Sequence, residues 1–359
     1  MARCWATRVV AARWLTSAWK VTRHLNPHRL PGLGAAAYHY STLRRSKQPS
    51  PPHVPVLLAQ VLDVLSPQAG QVVADCTVGC GGHAAAILSR LGPAGGGGRL
   101  IGLDLDELNI NIARSKLEAV GGRFDLFHSN FAGLPAVLER AGVIGGRVDA
   151  IFADIGIAST QIDDPARGFS YRRPGPLDMR MDTTRGVRAS DLVNTMSERE
   201  LAAAFIELGD ESDGPEIARL IVQRRAISPI VTTQELMAIV CEARDFTLQR
   251  AAGAKLHPAA RTFQALRILV NTEIANLNRL LAMLTTVLKP GGIAVIITFH
   301  SGEDRPVKHF FRDGFRAGIF SHENRDPIIA DEDERENNSR SRAAKLRYAR
   351  LAMVPPEVS

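Results

Sequence analysis

Apolar residues along this chain come in two rhythms, and the place where one gives way to the other sets the predicted architecture. Gln71-Val-Val-Ala-Asp75 is a short apolar run closed by an acid, and Gly79-Cys-Gly-Gly82 follows at once. From His83 an Ala/Ile/Leu-rich helix is expected to run to a stop at Gly92. The Gly95–Gly98 loop then separates it from a second apolar run, Arg99–Leu103, closed by Asp104. Strand, glycine turn, helix, strand is the βαβ unit of a doubly wound parallel sheet. Phe124–Phe127 and Val148–Ala153 predict two further strands, the second delivering Asp154 at its C-terminal end.

Beyond Thr160 the alternation stops. Ser197-x-x-Glu200, Asp213-x-x-Glu216 and Thr232-x-x-Glu235 have the capping-box form of helix starts. Leu201, Phe205 and Leu208 recur at helical spacing, as do Ile217, Leu220 and Ile221. From Thr262 one long helix is expected, leading to Lys289-Pro-Gly-Gly292 and a returning strand, Ile293–Phe299. The expected organisation is therefore a leader and linker over 1–50 and an α/β domain over 51–160 and 262–359. A small helical domain over 161–261 interrupts it.

Composition adds little until it is divided. Hydrophobic content of 45% and charged content of 23% are ordinary for a soluble globular protein. No uncharged apolar run of about 18 residues marks a membrane span, so no membrane partner is expected. The four cysteines (Cys4, Cys76, Cys80, Cys241) form no C-x-x-C pair and no secreted disulfide framework. The net charge of +7 is carried by the first fifty residues, which hold nine Lys/Arg and no acid. The rest has 35 basic against 37 acidic residues, so the overall charge supports no global steering field for nucleic acid, and any such case rests on local patches. Arg-rich, Ser/Thr-containing and acid-free through Leu62, with Trp5, Trp14 and Trp19 interleaved, the start has the composition of a mitochondrial transit peptide. Cleavage is expected between about residues 35 and 50, before the linker Gln48-Pro-Ser-Pro-Pro52.

Ligands of open parallel sheets collect at the carboxyl ends of strands, which singles out the glycine turn, Asp104 and Asp154. Glycines let a ligand approach the backbone, and an acid at the second strand tip can accept ribose hydroxyls. The spacing Gly79-x-Gly81-Gly82 departs from G-x-G-x-x-G and leans toward S-adenosylmethionine over a dinucleotide, without excluding the latter. Phe131 could lie against an adenine or belong to the core. Asp154 points at the chemistry, with a helix N-cap as the alternative. Six arginines between Pro165 and Arg188 (Arg167, Arg172, Arg173, Arg180, Arg185, Arg188) face only Asp178 and Asp182 among nearby acids after Pro165, and Phe169 and Tyr171 are interleaved. Such a mixture suits phosphate contacts beside stacking surfaces, and Arg261 and Arg267 extend it. The acidic run 331–336 is expected to be a disordered surface loop.

Several of these stretches together resemble the bacterial-type small-subunit rRNA (cytosine-N4)-methyltransferases and their mitochondrial relatives. They are His53-Val-Pro-Val56, Asp75–His83, Asp154–Gln161 with Asp163-Asp164 and Arg167–Ser170, and the most specific, Gly175-Pro-Leu-Asp-Met-Arg-Met-Asp182. His257–Arg267, Phe299-His-Ser301 with Glu303-Asp-Arg305, Arg340–Arg342 and Lys345–Arg347 complete the set. The resemblance implies a class I Rossmann-like α/β sheet with an inserted helical domain. It implies an S-adenosyl-L-methionine pocket lined by Gly81, Gly82, His83, Asp104, Phe131, Asp154 and Gln161, of which His83 and Gln161 come from the resemblance alone. The implied activity is N4-methylation of a cytidine in mitochondrial small-subunit rRNA, naked or in an assembling subunit, within the matrix. A non-catalytic assembly factor on the same fold is the alternative.

The exocyclic amine is a poor nucleophile, so the protein must align it with the donor methyl and accept its hydrogen bond and proton. No metal is required. Asp154 is the expected acceptor, with Asp178, His300 and Asp304 as further candidates. Arg167, Phe169, Tyr171, Arg172, Arg173, Arg180 and Arg261 are the expected RNA contacts, with Phe169, Tyr171 or Phe299 stacking on an extruded base. The chain departs from the family at Gly302, where many relatives have Leu, at Thr160 in place of a common proline, and in the acidic segment.

Overall fold

The computed structural model describes residues 54–247, 251 and 257–354; the leader and linker expected over 1–50 lie outside them. Seven strands form one sheet: β1 (Val72–Asp75), β2 (Arg99–Asp104), β3 (Phe124–His128), β4 (Val148–Asp154), β5 (Leu288–Thr298), β6 (Phe320–Glu323) and β7 (Lys345–Leu351). Their order is β3-β2-β1-β4-β5-β7-β6. β1 to β5 run parallel, and β7 is antiparallel to both its neighbours. This is the class I Rossmann-like sheet that the sequence led us to expect.

Period-two alternation sends successive strand residues to opposite faces, and both faces are apolar. Val73, Phe152 and Val295 pack with helices α1 (Leu58–Leu65), α2 (Gly82–Leu91) and α3 (Glu107–Val120). Ala74, Ile151 and Ile296 pack on the other side with α4 (Leu134–Arg140) and later helices. After β3 the chain returns to lay β4 on the far side of β1, so the strand order reverses between β1 and β4. That switch opens a crevice above their carboxyl ends.

After β4 come a short helix, α5 (Ser159–Asp163), an irregular stretch to Arg188, and four helices: α6 (Ala189–Thr195), α7 (Glu198–Gly209), α8 (Gly214–Arg225) and α9 (Thr233–Ala243). Two of the three expected capping boxes form. Ser197 and Thr232 accept from the backbone of Glu200 and Glu235, whose carboxylates accept in return. Asp213 makes no side-chain cap, and its intended partner Glu216 pairs with Arg219 instead.

The single long helix expected from Thr262 is two, α10 (Ala260–Asn271) and α11 (Glu273–Val287). They break at Thr272, which sits in the left-handed region at φ 50, a conformation a β-branched residue adopts only under constraint. The constraint is Asn271, whose side chain donates to the Met179 carbonyl and accepts from the Met181 amide, both at 2.8 Å. The break lets α10 bury Phe263 and Leu266 while α11 lays Leu277, Leu280 and Leu284 against the sheet. β5 also starts earlier than expected, absorbing Lys289–Gly292 through a register shift against β4.

After β5, helix α12 (Ser301–Arg316) leads to β6. The acidic run is ordered, contrary to expectation. It forms α13 (Glu332–Asn337), capped by Asp331. Glu334 accepts from the Leu57 amide at 2.7 Å, and Asn338 donates to the Val54 carbonyl. Those partners, 277 and 284 residues away in the same chain, order a segment whose composition alone reads as solvated. No helix among the described residues is long and apolar enough to cross a membrane.

Candidate active site

The turn after β1 is shaped by glycine. Gly79 and Gly81 have φ of 52 and 77, where side-chain-bearing residues are strained. A Cβ on Gly81 would also lie 3.0 Å from the Ala113 Cα, so the turn packs directly on α3. Gly82 is equally tight, since a Cβ there would meet Pro55 Cγ at 2.6 Å.

Each neighbouring strand ends in a carboxylate. Asp104 Oδ2 accepts from the Gly79 amide at 2.8 Å, while Oδ1 accepts from the Asp106 amide and from Asn109. With two lone pairs per oxygen, one position on Oδ2 is left for a ligand hydroxyl. Asp75 Oδ1 accepts from the Thr77 amide, and its Oδ2 has no hydrogen-bond partner among the described residues. Asp154 is tied by its backbone amide to Thr77 Oγ1 at 2.6 Å. Its Oδ1 is buried without a hydrogen-bond partner, though 26% of the side chain is open to solvent.

Burial is the main force on all three carboxylates. It lifts Asp104 to about 6 against the hydrogen bonds from Asp106 and Gly79. Asp75 rises to about 7 by burial, opposed by Thr77 and aided by the charge of Asp104. Asp154 rises to about 8 by burial, then by the charges of Asp75 and Glu303. Among the described residues no Lys or Arg pairs with any of the three. The strand tips therefore gather acids that no Lys or Arg among the described residues neutralises, and a positively charged ligand such as S-adenosylmethionine would favour their ionised forms.

His83 stands behind Asp154. Its ring is buried and tilted on Phe152 at 4.7 Å. Nε2 lies 2.9 Å from the Val56 carbonyl and Nδ1 lies 3.9 Å from Asp154 Oδ2. A carbonyl only accepts, so Nε2 carries a proton, and Nδ1 faces the carboxylate. Gln161 is buried, donating to Asp106 at 3.0 Å and accepting from the Ala158 amide. Both ends of its amide thus brace the protein. Phe131 begins the turn after β3, half-buried against the α4–α11 side of the core. The structure brings Gly81, Gly82, His83, Asp104 and Asp154 to one loop.

His300 and Asp304 belong elsewhere. His300 Nε2 lies 2.9 Å from Glu303, whose other oxygen accepts from the Phe299 amide. Glu273, His300 and Glu303 converge closely enough to ligate a metal. The positive charge they need is already supplied by Arg267, which grips Glu273 with two 2.9 Å bonds and lies 3.7 Å from Glu303. Sequence alone gave Arg267 to RNA; its 15% exposed side chain makes it internal. Asp304 is bound to Arg347 at 2.6 Å and to Lys345, an ion pair joining α12 to β7 and no acceptor for an amine.

The expected RNA loop is the largest correction. Arg167 turns inward to Asp106 and donates to the Arg180 and Met181 carbonyls. Arg180 forks onto Asp178 with two 2.8 Å bonds, and Arg188 adds a contact at 3.4 Å. Asp178 is accordingly no catalytic base. Burial pushes its carboxyl up, but Arg180 and Arg188 outweigh burial and hold it below the ordinary range. Phe169 is 8% exposed, with the Arg167 guanidinium 6.0 Å from its ring, so it cannot take a base. Tyr171 is stacked on His257 at 4.5 Å and edged by Phe263. Arg173 pairs with Asp163, and Arg261 donates to the Asp210 carbonyl. Arg172 is exposed over Tyr171 and alone among the loop's arginines has no carboxylate partner among the described residues. The stretch 175–182 explains itself as packing. Cβ atoms on Gly168 and Gly175 would fall 2.1 and 1.9 Å from the carbonyls of Pro176 and Pro165, so only glycine lets the two strands of this loop touch.

The sequence matches the model of the MraW methylase family over residues 50–352. It is 41% identical over 312 residues to ribosomal RNA small subunit methyltransferase H of Heliobacterium modesticaldum, covering 83% of this chain and 97% of that protein. To the protein of the same name from Geobacter sp. strain M21 it is 43% identical over 311 residues, 82% of this chain and 97% of the other. Among solved structures, a SAM-dependent O-methyltransferase from Thermotoga maritima aligns at 11% identity and a TM-score of 0.36, covering 88% of this chain and 70% of its own.

Proposed function

From the premise that the chain belongs to the MraW methylase family, we propose that it methylates the N4 amine of a cytidine in mitochondrial small-subunit rRNA. It is an S-adenosylmethionine-dependent methyltransferase, and small-subunit rRNA is its substrate class. The cytidine N4 target, the mitochondrial setting and the residue roles are the finer reading. One observation carries it: Asp154, at the tip of the strand beside the sheet's switch point, keeps a buried carboxylate oxygen without a hydrogen-bond partner.

When bound, S-adenosylmethionine supplies an activated methyl group on a sulfonium. The chain's own residues do the rest. Asp75, Asp104 and Asp154 are the acids whose ionised forms a bound cation would favour, and Asp104 keeps one acceptor position for a hydroxyl. Gly79 and Gly81 keep the turn open to a ligand. Asp154 accepts the hydrogen bond of the amine, which localises the nitrogen lone pair, and takes the proton released as the new N–C bond forms. In the ligand-free protein a group titrating at about 8 holds its proton near neutral pH, so Asp154 acts as acceptor once the charge of a bound sulfonium favours its ionised form. His83 Nδ1 faces that carboxylate from 3.9 Å and helps to set its position. Phe299 lies over Gly156, where a Cβ would come within 3.3 Å of its ring, and it is half-buried, an aromatic surface for an extruded base.

The acid-free, arginine-rich start supports mitochondrial import. The test incubates the purified protein with methyl-labelled S-adenosylmethionine and small-subunit rRNA, then digests the RNA to nucleosides. Label in N4-methylcytidine is expected. Label on another base removes the N4 reading, and a bound cofactor with no transfer at all favours the assembly-factor alternative. A reporter carrying residues 1–50 that stays in the cytosol removes the mitochondrial one.

A further inference from the structure

With the arginines between Pro165 and Arg188 largely committed to internal partners, the RNA must be held by another surface, and α12 offers one. The helix starts at Ser301, directly after Phe299 and His300 at the carboxyl end of β5, whose neighbour β4 ends in Asp154. At about 100° per residue, Arg305, Lys308, His309, Arg312 and Arg316 fall within an arc of about 100°. Glu303, Val307, Phe311 and Gly314 are buried on the opposite side. From Arg305 to Arg316 the stripe runs about 16 Å at the α-helical rise.

Its charge is free to act. Arg305 and Lys308, nearest the helix start, are exposed and have no ion-pair or hydrogen-bond partner among the described residues. Asp313 borders the stripe, 2.8 Å from Arg312 and 4.0 Å from Arg316, and the charge of Glu323 also reaches Arg312. The helices of the inserted layer differ. On α7 Arg199 is flanked by Glu198 and Glu200, and on α8 Arg219 and Arg224 pair with Glu216 and Glu242.

We infer that this face of α12 is a track for the RNA backbone, gripping the phosphates of the single-stranded segment that flanks the target nucleotide. Basic side chains set one or two turns apart on a helix make sequence-independent phosphate contacts, which position a strand without reading it. The track leads away from the strand tips, so a segment lying on it delivers its neighbouring base to the crevice. This inference rests on the rRNA methyltransferase reading and adds where the substrate docks.

The test measures binding of the full chain to small-subunit rRNA across a salt series, for wild type, R305A/K308A, R305E/K308E and a control of equal charge loss, R123A/R199A. Arg123 and Arg199 are also exposed. The alanine pair is expected to lower the slope of log affinity against log salt by about 1.4, from two lost single-strand phosphate contacts. Charge reversal is expected to weaken binding by about tenfold or more, with S-adenosylmethionine affinity and melting temperature unchanged and the control pair close to wild type. Unchanged RNA affinity and slope in both α12 variants, or an equal loss in the control, overturns the track while leaving the rRNA reading intact. Failure of the wild type to bind or methylate small-subunit rRNA overturns that reading itself.

Discussion

Two regions of this molecule are rich in aspartate and lie within reach of one another along the chain, yet they are electrostatic opposites. At the strand tips, Asp75, Asp104 and Asp154 sit together with no Lys or Arg pairing with them among the described residues, and burial lifts all three. Asp106, two residues beyond Asp104, and Asp178 and Asp182 in the loop that follows β4 each face an arginine. Burial pushes Asp182 up as well, but Thr184 and Arg185 outweigh it and hold the carboxyl low. The residue types are the same; the difference is whether the fold supplies the counter-charge. A buried carboxylate left without one is costly, and a protein keeps it where a ligand completes the site. A carboxylate already paired is a brace.

The sharpest way to break this contrast is Asp154→Asn against Asp178→Ala. Asparagine keeps the shape of Asp154 and removes the proton acceptor, so turnover on small-subunit rRNA should fall about 10²–10⁴-fold. Melting temperature should hold or rise, because one of several mutually repelling carboxylates is gone. Asp178→Ala should do the reverse. Losing charged hydrogen bonds to Arg180 should lower stability by about 1.5–3 kcal/mol, while turnover per folded molecule stays at the wild-type level. Turnover retained in the first variant, or lost in the folded second one, would invert the assignment of the two regions.

A smaller effect follows from pH. The three strand-tip carboxyls keep their protons in the folded protein to about 6, 7 and 8, whereas the unfolded chain releases them near 3.8. Between those limits the folded state binds more protons, so stability must decline as pH rises. The ligand-free protein should therefore melt at progressively lower temperature from pH 4 toward pH 8, and Asp154→Asn should flatten the upper part of that decline. A melting temperature that climbs through this window would mean the carboxyls find a counter-charge in solution.

What could be read from the chain divides along the same line. The parallel strands, the glycine turn and Asp154 at its strand tip were legible because they are local: an apolar run, two or three glycines, and a terminal acid. The pairings were not. Asp106 meets Arg167 and Gln161 from 61 and 55 residues away, and Asn271 reaches Met179 across 92, so the stretch 165–188 presented six arginines and hid their partners. Strand β7 escaped for a related reason. Arg347 sits buried within it, satisfied by Asp304 from 43 residues earlier, and a charged residue in a strand core conceals the apolar alternation. The break at Thr272 has no signal of its own; it is imposed by Asn271 binding a distant loop. Gly302 did carry a signal that composition could not interpret. A Cβ there would lie 3.1 Å from His300 Nδ1, so the glycine leaves room for that ring.

The smallest expected effect tests where the two regions blur. Arg172 lies in the paired loop but has no carboxylate partner among the described residues, and its guanidinium sits 5.9 Å over Tyr171. If the loop contributes to RNA at all, it does so there. A single phosphate contact is worth about 0.7 in the salt slope for a single strand, half of what the α12 pair should lose. Arg172→Ala should therefore weaken rRNA binding only modestly, with a slope change no larger than that, and leave stability within about 0.5 kcal/mol, as for an exposed residue outside any network. A loss rivalling that of R305E/K308E would move the docking surface back to the loop. It would also mean that the carboxylates paired with Arg180 and Arg188 release them when RNA arrives.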